Sequence, residues 1–319
     1  MKNFSGKLAV VTGAGTGMGR ELAKQLAAEG CHVAFCDVLA EPMEATKRAC
    51  EELAPAGTRI TSHLCDVSDE AQVIAFRDAV KAQHHTEHIN LLFNNAGIGG
   101  VVSFVAGDRA DWDKTFGVCW FGVYYCARAF MPMLVASDEG CIINTSSLNG
   151  FWASLGPMTA HTAYSSAKFA VKGFTESLIN DLRINAPHVK VALVMPGHVG
   201  TDISLNSRKV LGKPPASAMG DEELSEVRAR LKRQGMPADR MTDDQLRGML
   251  EQRATDFRDK APLSAAGAAT IILDGVRDGR WRILVGEDAK LIDAKVRQAP
   301  ETAYDLAFFQ GWGAPPTKA

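Results

Sequence analysis

Several features that would place a protein in other functional classes are missing from this sequence. The 319 residues carry a net charge of only −2, so no basic surface favours nucleic acid or an anionic membrane. No apolar run approaches the length of about 18 residues that a membrane-spanning helix needs. The first residues contain no apolar core of a signal peptide. These absences argue against a nucleic-acid-binding or membrane protein and favour a cytoplasmic one.

Cysteine is present, but not in the spacing of a disulfide framework or a metal site. The seven cysteines form an odd set without a CxxC motif. We therefore expect buried, reduced thiols in a cytoplasmic protein. Three histidines, His84, His85 and His88, lie close together at the end of a predicted helix, without a carboxylate-rich shell around them. We predict no metal site there.

A glycine-rich segment lies between a predicted strand and a predicted helix. Residues 7–12 form a short apolar run typical of a buried parallel strand, and residues 20–30 show helical spacing that ends at a glycine. Between them, residues 13–19 (GAGTGMG) let the backbone approach a pyrophosphate at the helix N-terminus. Asp37 stands twenty residues after Gly17, where a carboxylate accepts the ribose hydroxyls of NAD and repels the 2′-phosphate of NADP. A plain turn and a capping aspartate are the alternatives.

Strands and helices alternate along most of the chain, which indicates an α/β fold. We expect one domain over residues 1–319, with a Rossmann-like, doubly wound parallel sheet of about seven strands and helices on both faces. Residues 203–262 interrupt the alternation with a polar, charged segment. Its position after a strand end favours a substrate lid over an inert surface insertion. Residues 287–319 form a C-terminal extension.

A tyrosine and a lysine lie four residues apart in a predicted helix. This spacing places Tyr164 and Lys168 on one helix face, one turn apart. A free phenol has a pKa of about 10 and is a poor acid or base at neutral pH, but a nearby ammonium stabilises the phenolate. Such a pair also occurs by chance in helices, so the other motifs must decide whether it is catalytic.

Five separated motifs occur in one order along the chain. They are the glycine-rich segment after Thr12, residues 94–97 (NNAG), the region of Ser147, the Tyr164–Lys168 pair, and Pro196-Gly197. Together they resemble the short-chain dehydrogenase/reductase family of the compact single-domain type. The resemblance covers residues 1–200 well and residues 264–286 more loosely. It implies an oxidoreductase that transfers hydride with a nicotinamide cofactor.

The resemblance implies roles for individual residues. Tyr164 would be the general acid/base, Lys168 would lower its pKa and hold the nicotinamide ribose, and Ser147 would bind the substrate oxygen. Ser147 is preferred to Ser146 because the family's serine is followed by two residues and a glycine. The expected cofactor contacts are Gly13, Thr16, Gly17, Met18, Gly19, Asp37, Asp66, Val67, Asn94, Ala96, Gly97, Tyr164, Lys168, Pro196, Gly197, Val199 and Thr201.

Two departures from the family's pattern concern this site. Cys119 stands where the family usually has an asparagine in a proton relay, and a thiol is a weak hydrogen-bond group. Either another residue or water serves the relay, or proton exchange with solvent is slower. The stretch between Ser147 and Tyr164 is also longer than usual, which predicts a large apolar pocket wall. The expected substrate contacts are Phe151, Trp152, Met158 and His198.

These inferences predict a reversible, NAD-linked oxidation of a secondary alcohol to a ketone, with NADP the less favoured cofactor. The apolar residues near the expected pocket favour a bulky hydrophobic or aromatic substrate. A non-catalytic NAD-binding sensor or scaffold is one alternative, and an epimerase or dehydratase on the same fold is another. By the resemblance, a homodimer or homotetramer would pair the predicted helices 108–136 and 161–186 across a two-fold axis.

Overall fold

The fold is built from alternating strands and helices. The structure is a computed structural model that describes residues 1–100, 102–156, 159–233 and 235–309, so the predicted substrate contact Met158 lies outside the described residues. The strands are β1 (Leu8–Thr12), β2 (His32–Asp37), β3 (Ile60–Leu64), β4 (Leu91–Asn94), β5 (Gly140–Thr145), β6 (Val189–Pro196), β7 (Val199–Gly200), β8 (Leu263–Ser264) and β9 (Arg282–Val285). The helices are α1 (Gly17–Ala28), α2 (Ala40–Leu53), α3 (Glu70–His84), α4 (Arg109–Phe116), α5 (Gly122–Val135), α6 (Thr162–Asn185), α7 (Ile203–Val210), α8 (Asp221–Arg233), α9 (Asp243–Asp259), α10 (Ala265–Arg277) and α11 (Glu287–Gln298).

Seven of the strands form one parallel sheet in the order β3-β2-β1-β4-β5-β6-β9. The strand order reverses direction between β1 and β4, so the loops after these two strands diverge and leave a crevice at their carboxyl ends. β7 and β8 pair separately as a two-stranded parallel sheet. The expectation of a Rossmann-like, doubly wound sheet of about seven strands is confirmed.

Each face of the sheet is covered by its own apolar core. Successive side chains of a strand point to opposite faces, and the adjacent residues Val10 and Val11 of β1 accordingly belong to different cores. Val11 packs in the cluster that contains Leu26 of α1, whereas Val10 packs in the cluster that contains Phe130 of α5. All five residues of β1 are buried, as the continuous apolar run predicts.

The predicted helix 108–136 contains a local irregularity. A π-helical turn, Gly117–Phe121, separates α4 from α5. Gly122 is the first residue of α5. A β-carbon added to it would stand 2.6 Å from Cγ2 of Val67, so the lack of a side chain lets the helix lie close to the loop after β3. By length and composition the span Arg109–Val135 could cross a membrane, with a mean hydropathy of 1.4, but 56% of the apolar window is buried inside the fold. A helix that is mostly buried inside the fold is a core helix.

The segment 203–262 folds over the carboxyl edge of the sheet. It contains α7, α8 and α9. A small apolar cluster, including Leu224, Leu231 and Leu246, holds α8 and α9 together. Two ion pairs join the segment to the rest of the chain: Lys213 with Asp111 of α4, and Arg258 with Asp202.

Candidate active site

A cleft opens at the carboxyl ends of β1, β2 and β4, where the reversal of strand order places it. Ten of the expected cofactor contacts line this cleft: Gly13, Thr16, Gly17, Met18, Asp37, Asp66, Val67, Ala96, Gly97 and Thr201. Gly19, Asn94, Pro196, Gly197 and Val199 lie outside that lining, as do Tyr164 and Lys168. Predicted residues from five separate segments of the chain (13–18, 37, 66–67, 96–97 and 201) are therefore brought to one place.

The glycine-rich segment supplies close backbone packing at one end of this cleft. Gly13 has a positive φ of 66°, and a β-carbon there would stand 2.7 Å from Cα of Ala96. A β-carbon on Gly19 would collide with the Gly13 carbonyl oxygen, so this glycine allows α1 to pack against the strand end. Thr16 caps α1 without a side-chain hydrogen bond. The first N–H groups of α1 therefore remain available to a pyrophosphate.

Asp37 lies at the end of β2, inside the cleft. Its Oδ2 atom accepts a hydrogen bond from the Gly15 N–H at 2.8 Å, and its Oδ1 atom accepts one from the Leu39 N–H at 2.9 Å. Burial raises the pKa of Asp37, and these two backbone bonds act in the opposite direction. The described residues that line the cleft include no lysine or arginine. This end of the cleft thus presents a carboxylate, with no cation among the described lining residues.

The two asparagines of the NNAG motif face different surroundings: Asn94 lies between strands of the sheet, and Asn95 lines the cleft. Asn94 ends β4 with a buried side chain whose Nδ2 atom donates to Oδ1 of Asn144 at 2.8 Å, so it holds neighbouring strands together. Asn95, which we did not predict, lines the cleft and donates from Nδ2 to the Thr12 carbonyl oxygen at 3.1 Å. The motif itself was the available signal, and only the choice between adjacent asparagines was missed.

Tyr164, Lys168 and Ser147 meet beside the cleft. The Lys168 Nζ atom lies 5.5 Å from the centre of the Tyr164 ring and donates a hydrogen bond to the Thr145 carbonyl oxygen at 2.9 Å. The Ser147 hydroxyl is hydrogen-bonded to the Tyr164 phenol. The Ser146 hydroxyl instead donates to the Lys168 carbonyl oxygen at 2.7 Å. The structure thus brings together the three residues that the sequence singles out.

Burial has the largest effect on the pKa values of Tyr164 and Lys168. It raises the pKa of Tyr164 well above its usual value, Cys119 raises it further, and the Ser147 hydrogen bond opposes both. Burial also lowers the pKa of Lys168. The lowered pKa that the resemblance implies for Tyr164 is not seen in this structure, because the loss of solvation outweighs the Ser147 hydrogen bond. The protonated phenol is the favoured form.

Cys119 lies in the π-helical turn, and its side chain lies on the side of Tyr164 and Lys168. It is fully buried, and its Sγ atom donates a hydrogen bond to the Ile98 carbonyl oxygen at 3.3 Å. A β-carbon on Gly97 would stand 3.8 Å from this sulfur and 3.5 Å from Nζ of Lys168. The thiol thus stands next to Lys168, as the alignment of motifs predicts. π-Helical turns are common at functional sites.

Two of the expected substrate contacts pack away from the cleft. Trp152 is fully buried between Phe308 and Phe309, with ring centres 5.3 Å and 5.5 Å away, and its Nε1 atom donates to the Ala303 carbonyl oxygen at 2.8 Å. Phe151 belongs to the same apolar cluster. The prediction that these rings form the pocket wall is wrong, because the C-terminal segment covers them. Their contacts instead anchor the segment that follows Ser147.

His198 is likewise occupied by contacts inside the protein. Its Nε2 atom lies 2.7 Å from the Phe257 carbonyl oxygen, and its ring packs on Phe257 with the centres 4.3 Å apart. Its backbone N–H donates to Oδ2 of Asp288 at 2.6 Å. His198 therefore ties the loop after β6 to α9 and α11, and the structure does not place it as a substrate contact.

The segment 203–262 contributes cleft residues that the sequence did not reveal. The Asn206 Nδ2 atom donates to Oγ1 of Thr16 at 3.1 Å, and the Gly99 N–H donates to Oγ of Ser207 at 2.8 Å. Asn206 and Ser207 both lie on α7 and line the cleft. Nothing in the local sequence of α7 identifies them, because the contact joins positions 190 residues apart.

The described residues include no group of three or more His, Cys, Asp or Glu side chains placed to hold a metal ion. Of the three clustered histidines, His84 bonds Oγ1 of Thr61 at 2.9 Å and His88 bonds Thr86. His85 ends α3 in a left-handed conformation. Their positions have local structural explanations.

Comparisons with known proteins agree with this geometry. Residues 7–211 match the family model described as short chain dehydrogenase. The chain belongs to the short-chain dehydrogenase/reductase family. A protein of Mycobacterium tuberculosis named putative oxidoreductase SadH is 33% identical over 299 residues, which are 93% of this chain and 92% of that protein. Levodione reductase of Leifsonia aquatica is 32% identical over 228 residues, 70% of this chain and 80% of that enzyme.

Solved structures of short-chain dehydrogenases share the fold. A Burkholderia phymatum member in complex with NAD has a TM-score of 0.75 and 29% identity, covering 100% of this chain and 99% of that one. A metagenomic short-chain oxidoreductase in complex with NADP has a TM-score of 0.54 and 34% identity, covering 61% of this chain and 83% of that one. The family therefore establishes an oxidoreductase with a nucleotide cofactor, and these two structures contain different cofactors.

Proposed function

We propose that this short-chain dehydrogenase/reductase interconverts a secondary alcohol and a ketone with NAD. The observation that carries the proposal is the convergence of Tyr164, Lys168 and Ser147 beside a cleft with a carboxylate at its adenosine end. A phenol, an ammonium and a hydroxyl around one point can bind an oxygen atom and exchange its proton. The chemistry that NAD supplies when bound is hydride exchange at the nicotinamide ring.

Each of the three residues has one task in this proposal. Tyr164 gives its proton to the carbonyl oxygen in reduction and takes the hydroxyl proton in oxidation. The raised pKa of Tyr164 keeps the phenol protonated, which is the form that reduction needs. Lys168 uses one of its three donors on the Thr145 carbonyl, which leaves two for the nicotinamide ribose. Ser147 orients the substrate oxygen toward the phenol.

The remaining cleft residues fit NAD better than NADP. The backbone of residues 13–19 and the N-terminus of α1 would hold the pyrophosphate, and Asp37 would accept the ribose hydroxyls. A 2′-phosphate would meet the Asp37 carboxylate, and no lysine or arginine occurs among the described residues of the lining. The levodione reductase name, which specifies reduction, supports the alcohol–ketone chemistry. The apolar residues Ile203 and Val210 of α7 in the cleft support a hydrophobic substrate.

We also propose that the segment 203–262 acts as a lid within a single domain. Its helix α7 reaches the glycine-rich loop through Asn206, and its ion pair of Lys213 with Asp111 fastens it to α4. A lid that contacts both places excludes water from the cleft when it closes. The C-terminal extension would support the Ser147 loop through the cluster around Trp152.

The oligomeric state and the cellular compartment are part of the same proposal. Phe121, Tyr124 and Phe169 are 40%, 38% and 40% exposed on the helices expected to pair, α5 with its π-helical turn and α6. Partly exposed aromatic rings on two long helices suit a homodimer or homotetramer interface. All seven cysteines are free and buried, which supports a reducing, cytoplasmic location. Light scattering after size-exclusion chromatography tests the assembly.

The direct test is turnover of a panel of alcohols and ketones with NAD and NADP measured side by side. The proposal predicts that at least one bulky secondary alcohol reduces NAD, with a higher kcat/KM than for NADP. If the enzyme binds NAD but neither oxidises nor reduces any member of a broad panel, a non-catalytic NAD-binding protein becomes the better description.

A further inference from the structure

The carboxylate of Asp288 lies across the ends of two adjacent strands of the sheet. Asp288 is the second residue of α11 and lies outside residues 7–211, which match the family model. Gly197 follows β6 and Gly286 follows β9, and these two strands pair with each other. A β-carbon on Gly197 would stand 2.2 Å from either carboxylate oxygen of Asp288, and one on Gly286 would stand 2.5 Å from Oδ1. The carboxylate therefore fills the space that two glycines leave at these strand ends.

This carboxylate holds the start of the loop that follows β6. Its Oδ2 atom accepts a hydrogen bond from the His198 N–H at 2.6 Å. The Gly197 N–H donates to the Val285 carbonyl oxygen at 2.9 Å, so the bond to Asp288 is the next attachment along the loop. Hydrogen bonds to a carboxylate are shorter and about twice as strong as those between neutral groups. A side chain from the C-terminal extension thus sets the direction in which the loop leaves the sheet.

The loop that begins at Asp288 leads into the cofactor cleft. Thr201 follows shortly after His198 and lines the cleft, with its Cγ2 atom 3.1 Å from the place of a β-carbon on Gly17. The intervening strand β7 pairs with β8 in the two-stranded sheet and not with the seven-stranded sheet. The place of Thr201 in the cleft therefore depends on how the start of the loop is held.

The order of the strands indicates which half of the cofactor this loop borders. Asp37 and Asp66 follow β2 and β3, on one side of the crevice between β1 and β4, and Ser147 follows β5 on the other side. The next strand beyond β5 is β6. With the reacting carbon at Tyr164, the adenosine would lie near Asp37 and the nicotinamide near Ser147. The loop after β6 would then border the nicotinamide half.

We propose that Asp288 is a positioning residue for the nicotinamide half of the cofactor. By accepting the His198 N–H, its carboxylate fixes the loop 197–201 and keeps Thr201 in its place in the cleft. Asp288 acts through this loop and takes no part in the transfer of the proton or the hydride. This inference rests on the proposed function, because it requires the nicotinamide to lie beside Tyr164.

The test compares the dissociation constants of NADH and of AMP, which carries only the adenosine end of the cofactor, by isothermal titration calorimetry. Asp288→Ala leaves the His198 N–H without its acceptor. It should weaken NADH binding by about tenfold, the effect of losing one hydrogen bond to a charged group, and leave AMP binding within about twofold of wild type. Asp288→Ser also removes the carboxylate but leaves less empty space, and gives the same comparison if the alanine variant folds poorly.

Asp288→Asn is the conservative variant. It keeps an acceptor oxygen for the His198 N–H, and its amide nitrogen takes the place of Oδ1, which has no hydrogen-bond partner within the described structure. It should retain most of the NADH affinity of wild type. A loss as large as in Asp288→Ala would overturn the inference, because the acceptor would then not be the cause.

A matched control is Asp293→Ala, which removes another carboxylate of α11. Asp293 accepts a hydrogen bond at Oδ2 from Nη1 of Arg282 on β9 at 3.0 Å, away from the loop 197–201. It should leave both dissociation constants unchanged. The inference is overturned if Asp288→Ala and Asp288→Ser weaken NADH and AMP equally or not at all, or if Asp293→Ala weakens NADH as much. Failure of wild type to bind NADH would instead overturn the proposed function.

Discussion

The thiol of Cys119 and the carbonyl oxygen of Ile98 lie 3.3 Å apart, joined by a hydrogen bond inside the candidate active site. The family resemblance implies an asparagine amide at this position, where this chain has a thiol, a weak donor. If the thiol takes no part in proton exchange, Cys119→Ala should change kcat by less than about threefold, while the small cavity lowers the free energy of unfolding by about 1 kcal/mol. Steady-state kinetics and urea denaturation measure the two effects.

Cys126→Ala provides the matched control for that experiment. Cys126 is also almost fully buried, on α5, and is not among the groups that shift the pKa of Tyr164 or Lys168. It should lose a similar amount of stability with unchanged kinetics. A loss of kcat of about tenfold or more that is confined to Cys119→Ala would show that the thiol lies on the proton path.

The cofactor preference should depend on Asp37. Replacing this carboxylate in Asp37→Ser removes the charge that repels a 2′-phosphate and an acceptor for the ribose hydroxyls. The ratio of kcat/KM for NAD to that for NADP should fall by about tenfold or more. Asp66→Asn is the control, because Asp66 also lines the cleft but is paired with Lys114, so both cofactors should be affected alike. An unchanged ratio in Asp37→Ser would rule out this role.

The lid proposal makes a prediction about cofactor binding. Asn206→Ala removes the hydrogen bond from α7 to Thr16 and should weaken NAD binding by about three- to tenfold, measured by isothermal titration calorimetry. Asn185→Ala deletes an exposed asparagine that bonds only within α6 and should leave the affinity unchanged. Identical NAD affinities in wild type and Asn206→Ala would indicate an insertion that does not assist cofactor binding.

A chain of buried amides and hydroxyls connects the sheet to the helix of Tyr164. Asn94 donates to Asn144, which donates from Nδ2 to Oγ1 of Thr175 at 2.9 Å. Thr175→Val keeps the shape of the side chain but leaves the Asn144 amide without its acceptor. We expect a loss of about 1–3 kcal/mol in the free energy of unfolding, measured with urea.

Ser177→Ala is the control for this prediction on the same helix. The exposed Ser177 hydroxyl bonds only the Gly173 carbonyl one turn earlier, so its loss should cost less than about 0.5 kcal/mol. Equal effects of the two substitutions would mean that the buried chain contributes nothing beyond an ordinary surface bond.

Local patterns were sufficient to predict most of the fold. The apolar run of β1, the glycines before α1 and the helical spacing around Tyr164 are properties of neighbouring residues, and the structure reproduces them. The doubly wound parallel sheet follows from the alternation of strands and helices, whereas the pairing of β1 with β4 is seen only in the structure. The choice of Ser147 over Ser146 required only the spacing to the following glycine.

The errors involve contacts between distant parts of the chain. Trp152 and Phe151 follow Ser147 closely, but their packing partners come from the C-terminal segment around Phe308. The apolar character of these rings predicts burial equally well beside a substrate or beneath that segment. The sequence likewise could not show that burial would raise the pKa of Tyr164, because desolvation depends on everything packed around the phenol.

The most direct test of the account is Tyr164→Phe, assayed on any substrate that wild type turns over. Phenylalanine keeps the ring that packs near His161 and Lys168 and removes only the hydroxyl. We expect kcat to fall by about a hundredfold or more, with unchanged NAD affinity and thermal stability. A Tyr164→Phe enzyme that retains wild-type kcat would contradict it.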